Sequence, residues 1–349
     1  MTRYKLGEIV DIKYGKDHKK LNAGRVPVYG TGGIMRYVDN YLYDGESVLI
    51  PRKGSLNNIY YVVGKFWTVD TIFWTIINKN IVLPKYLFYF LKRIDFEKLN
   101  VGSAVPSLTQ KILNEIQIDV PSIEKQKDII DKISVFERKI NLNNKINTNL
   151  LELGLELISN INFENYQSLN KIVEVKDGTH SSPASTLNGY PLVTSKAIKG
   201  TSVDFSQTKN ISEADFTEIN KRSLVEYHDI LISMIGTVGI VHLVTENPVK
   251  YAIKNVGLIK SSDKKLLSPF LYLYLLSYYG QTYIRKHLSG STQQFISLTN
   301  LRKMPIPISS DIPAKLIEKL NTIVLQIEHN SNENNTLNSI KNVLLEKYF

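Results

Sequence analysis

Residues 123–160 read IEKQKDIIDKISVFERKINLNNKINTNLLELGLELISN, and residues 312–349 read IPAKLIEKLNTIVLQIEHNSNENNTLNSIKNVLLEKYF. Both stretches are rich in Leu, Ile, Lys, Glu and Asn, and Gly154 and Pro313 are their only helix breakers. In the first, alternating steps of three and four pick out Ile129, Ile133, Phe136, Ile140, Asn143, Asn147 and Leu150. In the second they pick out Leu316, Leu320, Ile323, Ile327, Asn330, Asn334 and Leu337. The two sets align at a constant shift of 187 residues, asparagines included. A 3-4 stripe is the seam of a coiled coil, and polar seam residues fix register and partner at some cost in stability. At a rise of about 1.5 Å per residue each helix spans roughly 57 Å, a length suited to a spacer. Two such helices in one chain most simply pack against each other, and antiparallel packing makes the repeat axis a pseudo-twofold. Two separate amphipathic helices, each on its own domain, are the alternative; the recurring asparagines favour the shared seam.

Working outward, the segments before each helix also repeat. Leu6 to Gly15 (LGEIVDIKYG) matches Leu169 to Gly178 (LNKIVEVKDG), each read as a short strand with alternating faces stopped by glycine. Ser47-Val48-Leu49-Ile50 with Arg52-Lys53-Gly54-Ser55 parallels Asp229-Ile230-Leu231-Ile232 with Met234-Ile235-Gly236-Thr237. An aromatic helix follows in each half, Pro84 to Phe96 and Pro269 to Ile284, with proline in the first turn. Next come Gly-Ser loops (Gly102-Ser103, Gly290-Ser291), then Ser107-Leu108-Thr109 and Ser297-Leu298-Thr299, then strands bounded by Pro121 and by Pro305 and Pro307. The expected class is therefore α+β: two mixed α/β domains in pseudo-twofold arrangement, separated by two long antiparallel coiled-coil helices. The expected boundaries are 1–122 and 161–311 for the domains, 123–160 and 312–349 for the helices.

Composition narrows the function. The chain has 349 residues, a formal charge of +10 and no cysteine. The charge favours a polyanionic partner, since neutralised phosphates release counterions. Without cysteine there are no disulfides or thiolate metal sites, which suits a reducing cytoplasm. Met1 to Val10 carries charges and no apolar core of a signal peptide. The longest apolar stretch, Ile230 to Val244, is too short and too interrupted by glycine to span a bilayer, and reads as two buried strands around a turn. Catalytic signatures are absent: no P-loop, no His-Glu-x-x-His, no Gly-x-Ser-x-Gly elbow, no Pro-Asp nuclease start and no Asn-Pro-Pro-Tyr. No enzyme, metal or cofactor of the chain's own is expected.

The remaining polar loops look like recognition elements. The first half offers Lys16, His18, Lys19, Lys20, Arg25, the Tyr29-Gly30-Thr31-Gly32-Gly33 tip, Arg36, and Arg52-Lys53-Gly54-Ser55 at a strand end. There a flexible backbone suits a phosphate while a guanidinium suits a base edge. The second half offers Thr179 and His180 in the loop Asp177 to Pro183, then Lys196, Lys199, Lys221, Arg222, Thr237, and Gln293 with Gln294, whose amides match adenine.

This order of two domains, each followed by a long helix, resembles the specificity subunits of type I restriction-modification systems. The opening Leu6 to Gly15, the Ile50 to Ser55 stretch, the Asp177-Gly178-Thr179-His180 loop and the Ser-Leu-Thr signals are similar to recurrent features of their recognition domains. The resemblance covers essentially the whole chain. It implies a non-catalytic, cytoplasmic subunit in which each domain reads half of a split double-stranded DNA target and the helices hold the halves at a fixed spacing. It also implies methyltransferase partners carrying S-adenosylmethionine, ATP- and Mg-dependent restriction (translocase) partners, and no membrane. The counterpart of Arg52-Lys53 is Met234-Ile235, so no matching basic pair is carried into the second domain. A coiled-coil scaffold that binds proteins, and a DNA-modifying enzyme with an unrecognised site, are the competing readings.

Overall fold

The computed structural model describes residues 1–102, 104–161, 163–200, 202–308 and 312–349. Ser103 of the first Gly-Ser loop and residue 311, the expected end of the second domain, lie outside them. The chain forms two compact units, Met1–Asn141 with Asn334–Phe349, and Leu142–Glu333. The long helices run from Ile123 to Ser159 and from Ala314 to Tyr348, so each contributes to both units.

In the first unit a six-stranded sheet has the spatial order Val10–Tyr14, Ile72–Ile77, Tyr43–Pro51, Tyr60–Thr68, Ala23–Gly30, Gly33–Val38. All neighbours are antiparallel except Ala23–Gly30 against Tyr60–Thr68. Val48, Leu49 and Ile50 are fully buried on the central strand. Beside them the hydroxyls of Ser47 and Thr75 take over part of the ladder: Val48 N donates to Thr75 Oγ1 and Thr75 N to Ser47 Oγ, each at 2.9 Å. Two buried hydroxyls thus supply the partners that these strand amides need. The opening Leu6–Ile9 is one turn of helix rather than strand, because Glu8 Oε2 accepts from Lys5 N at 2.7 Å and caps it. Strand Val10–Tyr14 follows.

The aromatic helix ends at Leu91, short of the expected Phe96. Asp95 then starts a separate 3-10 turn by accepting from Glu97 N. Against this helix lies the end of the chain: Leu344, Leu345, Tyr348 and Phe349 join the core, with the rings of Phe349 and Tyr86 4.9 Å apart. Residues far away in sequence therefore complete this core.

The second unit repeats the scheme with smaller sheets, two of them of three or more strands. One has the order Glu174–Asp177, Val256–Lys260, Ile230–Ser233, Val241–Leu243, and the other Lys209–Ile211, Tyr190–Val193, Ala252–Ile253. Ile230 to Val244 supplies two buried strands, as its pattern predicts. Leu169–Ile172 is again a helical turn. The second aromatic helix breaks in two, Ser268–Leu276 and Tyr278–Lys286, where Ser277 is extended and its hydroxyl turns back to Tyr274 O at 2.7 Å. The apolar run Phe270–Leu275 before this corner is buried on every side.

Within the second unit the long helices are antiparallel: Asn143 Nδ2 reaches Glu333 Oε2 at 2.7 Å, and Asn330 Nδ2 reaches Asn147 Oδ1 at 2.7 Å. Gly154 does not break its helix. It lets the helix approach Leu273, whose Cδ1 would lie 3.0 Å from a side-chain carbon there. Each helix is also pinned to a domain by polar groups. In the first unit Tyr89 donates to Glu137 at 2.7 Å, and burial together with that carboxylate raises the phenol far above its ordinary range. In the second, Tyr227 donates to Glu328 at 2.8 Å and is pushed up to about 12 by burial and that carboxylate.

The tightest pin is Gln126, which is fully buried. It accepts from Leu83 N at 2.7 Å and donates to Ile81 O and Pro121 O, both at 2.9 Å. Gln126→Ala strands those main-chain groups, which should cost about 2–4 kcal/mol. Urea unfolding of the first unit's fluorescence, with Trp67 and Trp74 as reporters, should show this loss. A change below about 0.5 kcal/mol, the size of a surface substitution, would show that the pin carries no weight.

Candidate nucleic-acid interface

In the first unit main-chain hydrogen bonds gather several loops at one end of the sheet. Lys16 N donates to Thr68 O (2.9 Å), Val69 N to Tyr29 O (3.1 Å), Arg52 N to Thr71 O (2.8 Å) and Gly54 N to Pro106 O (2.9 Å). The Thr31 carbonyl at the Gly30–Gly33 tip accepts from Asn58 Nδ2 (2.8 Å) and Tyr60 Oη (2.9 Å), tying the tip to the segment that follows the Arg52–Ser55 loop. Gly54 takes φ +88°, a backbone conformation that favours glycine, and so lets the chain turn after Lys53.

The cations at this end have different fates. Arg52 is turned back onto its own domain: Nε donates to Asp70 O at 2.7 Å, Nη2 lies 3.6 Å from Asp70 Oδ2, and the guanidinium lies 5.8 Å from the Tyr14 ring centre. Arg36 Nη2 donates to Leu21 O at 2.8 Å and so braces the loop that carries Lys19 and Lys20. Lys19, Lys20, Arg25, Lys53 and Ser55 are exposed, and none of these four cations has an ion pair among the described residues. Arg25 sits at a bulge between Ala23 and Val26.

The second unit holds a cleft of about 1080 Å³. Four of the expected residues converge there, Lys196, Lys199, Thr237 and Gln293, together with Gln207, Lys254 and Asn255. Among the described residues no carboxylate lines it. Lys196 and Lys199 are exposed and have no ion pair among the described residues. Thr179 and His180 stand at its rim. Thr179 N donates to Ile253 O at 3.0 Å, and His180 Nδ1 lies 2.7 Å from Asn255 Oδ1.

Other expected residues stay out of the cleft lining. Arg222 is ion-paired with the buried Asp177, whose second oxygen lies 2.9 Å from His180 Nε2. Lys221 pairs with Glu218 along its own helix. Gln294 uses its main-chain carbonyl to hold Gly236 N at 3.0 Å. Lys254 and Asn255 went unnoticed in the sequence, although Lys-Asn between two apolar runs is a turn signal and asparagine tolerates the left-handed backbone found there. Among the described residues no cluster of three His, Asp or Glu could hold a metal, and no helix is long and apolar enough to cross a membrane.

Along the helices Ile133, Leu320, Ile323, Asn143, Asn330 and Asn334 are buried, while Phe136, Ile140, Asn147 and Ile327 are partly so. Asn330 Oδ1 also accepts from Gln326 Nε2 at 2.9 Å, and Asn147 Nδ2 reaches Ser331 Oγ at 3.3 Å.

Comparison with known proteins converges on one family. The type I restriction modification DNA specificity domain matches residues 1–152 and again 165–339. A putative type I restriction enzyme specificity subunit of Haemophilus influenzae is 24% identical over 302 residues, 82% of this chain and 76% of that protein. The specificity subunit of the Escherichia coli type I enzyme EcoprrI is 29% identical over 149 residues, 40% of this chain and 37% of that protein. The crystal structure of a type I restriction-modification S subunit from M. genitalium shares the fold, with TM-score 0.57 and 17% identity over 100% of this chain and 96% of that one. Matched in both halves, the chain belongs to the type I restriction-modification DNA specificity family, whose members are DNA-recognition subunits rather than catalysts.

Proposed function

We propose that each domain reads one half of a bipartite double-stranded DNA target, while the paired helices set the spacing of the halves and dock methyltransferase subunits. S-adenosylmethionine then belongs to those subunits, and ATP and Mg to restriction subunits that join them. The observation that carries this reading is the distribution of unneutralised cations. Lys19, Lys20, Arg25 and Lys53 in one domain, and Lys196 and Lys199 in the other, are exposed without a carboxylate partner among the described residues. Lysines left unpaired on a rigid loop base are the groups that exchange counterions for phosphates. The Arg52, Arg36 and Arg222 guanidiniums are committed to their own domains and shape the loops instead.

The direct test is reconstitution. The chain alone should neither methylate nor cleave DNA; with its methyltransferase partner it should direct adenine methylation to a two-part sequence. Methyl transfer by the purified chain alone, or methylation at a single undivided site, would overturn the proposal.

Within the first domain, Lys53→Ala should weaken binding evenly across target sequences and lower the slope of log affinity against log salt by about one unit. If the Arg52 guanidinium also reaches a guanine, Arg52→Ala relaxes one base of the first half-site by about 1–3 kcal/mol. If it only braces Asp70 and Tyr14, the variant weakens binding without changing base preference. Titrations on single-base variants of the target at several salt concentrations separate these outcomes.

For the helices, four residues inserted after Asn144 advance one helix by about 6 Å. The spacing between half-sites in methylated DNA should change while both half-sequences stay readable. An unchanged spacing in the sequenced methylation sites would remove the helices' role as a ruler.

A further inference from the structure

The hairpin that closes at Gly30–Gly33 in the first domain carries two adjacent apolar side chains at its open end: Ile34 is 49% exposed and Met35 60%. Its strands, Ala23–Gly30 and Gly33–Val38, lie at the edge of the sheet. The register passes from Val28↔Arg36 to Tyr29↔Ile34 and skips Met35, which leaves the ladder as the extra residue of a bulge. Gly30 leaves room for it: a side-chain carbon there would lie 2.5 Å from Met35 Sδ. The tip is firm, because the Thr31 carbonyl accepts from both Asn58 and Tyr60.

Charge indicates what meets this tip. Thr31 lies against Gly54, its Oγ1 3.6 Å from where a side-chain carbon would stand, so the exposed Lys53 is next to the tip. Arg36, the neighbour of Met35, braces through Leu21 O the loop that carries Lys19 and Lys20. The carboxylates nearest these cations in sequence are engaged, Asp17 by Lys19 N at 3.0 Å and Asp70 by Arg52. A partner that offers phosphates to the lysines and an apolar face to Ile34 and Met35 is a base stack between its two backbones. Isoleucine and methionine are among the side chains that enter such a stack as wedges.

A duplex presents that opening when one of its bases is modified. A base that undergoes chemistry leaves the stack, and the cost of extrusion is least where the base is mismatched. The methyl-transferring subunit takes the extruded base, and the reading subunit stays against the duplex left behind.

We propose that Ile34 and Met35 form a wedge that fills the space vacated by the adenine to be methylated in the first half-site, and so holds that base out of the stack. The proposal rests on the proposed function, in that this end of the domain must face DNA that a partner methylates.

The test uses the chain assembled with its methyltransferase partner, as wild type and as the double variant Ile34→Ser with Met35→Ser. Both positions are exposed, so serine leaves the core untouched. The target is first read from DNA methylated by the wild-type complex. Two duplexes are then made, one fully matched and one with a mismatch opposite the first half-site adenine. In single-turnover assays the double variant should methylate that adenine at least tenfold more slowly than wild type on the matched duplex. On the mismatched duplex, where extrusion costs least, it should recover to within about threefold of wild type. The adenine of the second half-site, read by the other domain, should be methylated at the wild-type rate throughout. With 2-aminopurine in place of the first adenine, the wild-type complex should brighten the probe on binding and the double variant should leave it quenched in the stack.

Wild-type rates on the matched duplex would overturn the wedge. So would an equal loss on both duplexes, which is the mark of a contact made before extrusion. A loss in both half-sites together with failure of the complex to assemble would overturn it as well, because the tip would then dock a protein. A triple variant, Lys19→Glu, Lys20→Glu and Lys53→Glu, separates this failure from that of the broader reading. If it abolishes methylation while the double variant keeps wild-type rates, only the wedge falls. If it methylates both half-sites at the wild-type rate, this end of the domain does not face DNA, and both readings of the first domain fall.

Discussion

The amide of Asn330 donates to the amide of Asn147 across the helix seam at 2.7 Å, and the arrangement of the paired helices depends on it. Apolar side chains in a seam tolerate sliding by a turn, because one leucine fills a hole much as another does. Buried amides do not. Asn330 also accepts from Gln326, Asn147 reaches Ser331, and Asn143 reaches Glu333, so one alignment satisfies the whole set. A slipped register would leave several of these groups buried and unmet, at about 1–3 kcal/mol each. The polar layer lowers the stability that an all-leucine seam would give, and in return it makes the alignment unique.

The long helices also complete the domains. In the second unit the helix that enters at Leu142 brings Leu150, Leu157 and Ile158 onto the core around Phe270 and Leu273, with Gly154 thin enough to let the backbones close. In the first unit the last turns of the chain bring Leu344, Leu345 and Phe349 onto the aromatic helix. Buried or partly buried polar pins then fix each helix in rotation: Gln126 and Glu137 in the first unit, Glu328 in the second. A ruler needs this. A helix free to roll on its domain could not transmit a fixed distance.

The loops follow the same division between groups that brace and groups that are left available. Four guanidinium groups, with several donors in a plane, are used inward on Leu21, Asp70, Asp177 and Val175, while Arg25 stays exposed. Lysines at the loop tips are left to solvent. Because main-chain hydrogen bonds set the loop geometry, the exposed ammonium groups are carried on a firm base, and little ordering entropy remains to be lost when a polyanion binds.

Much of this was legible in the sequence. The two long helices, their 3-4 seams, the asparagines within them and the duplication of strand, aromatic helix and Ser-Leu-Thr signal are all local patterns, and periodicity is a local property of the chain. Local capping was harder to see: Leu6–Ile9 became a helical turn because Glu8 reaches back to Lys5, and the second aromatic helix broke at Ser277. The fate of the charges was not legible at all. Whether Arg52, Arg36 or Arg222 points outward depends on which carbonyl or carboxylate lies within about 3 Å, here Asp70, Leu21 and Asp177, and these come from strands and loops paired over long separations. Likewise Lys254 and Asn255 entered the cleft beside Lys196 because parallel pairing of Tyr190–Val193 with Ala252–Ile253 brings those loops together. Sequence determined which segments would be helices and that they would pair along a polar seam, since those follow from spacing along one chain; only the tertiary structure decided which cations face solvent, since that follows from distances across it.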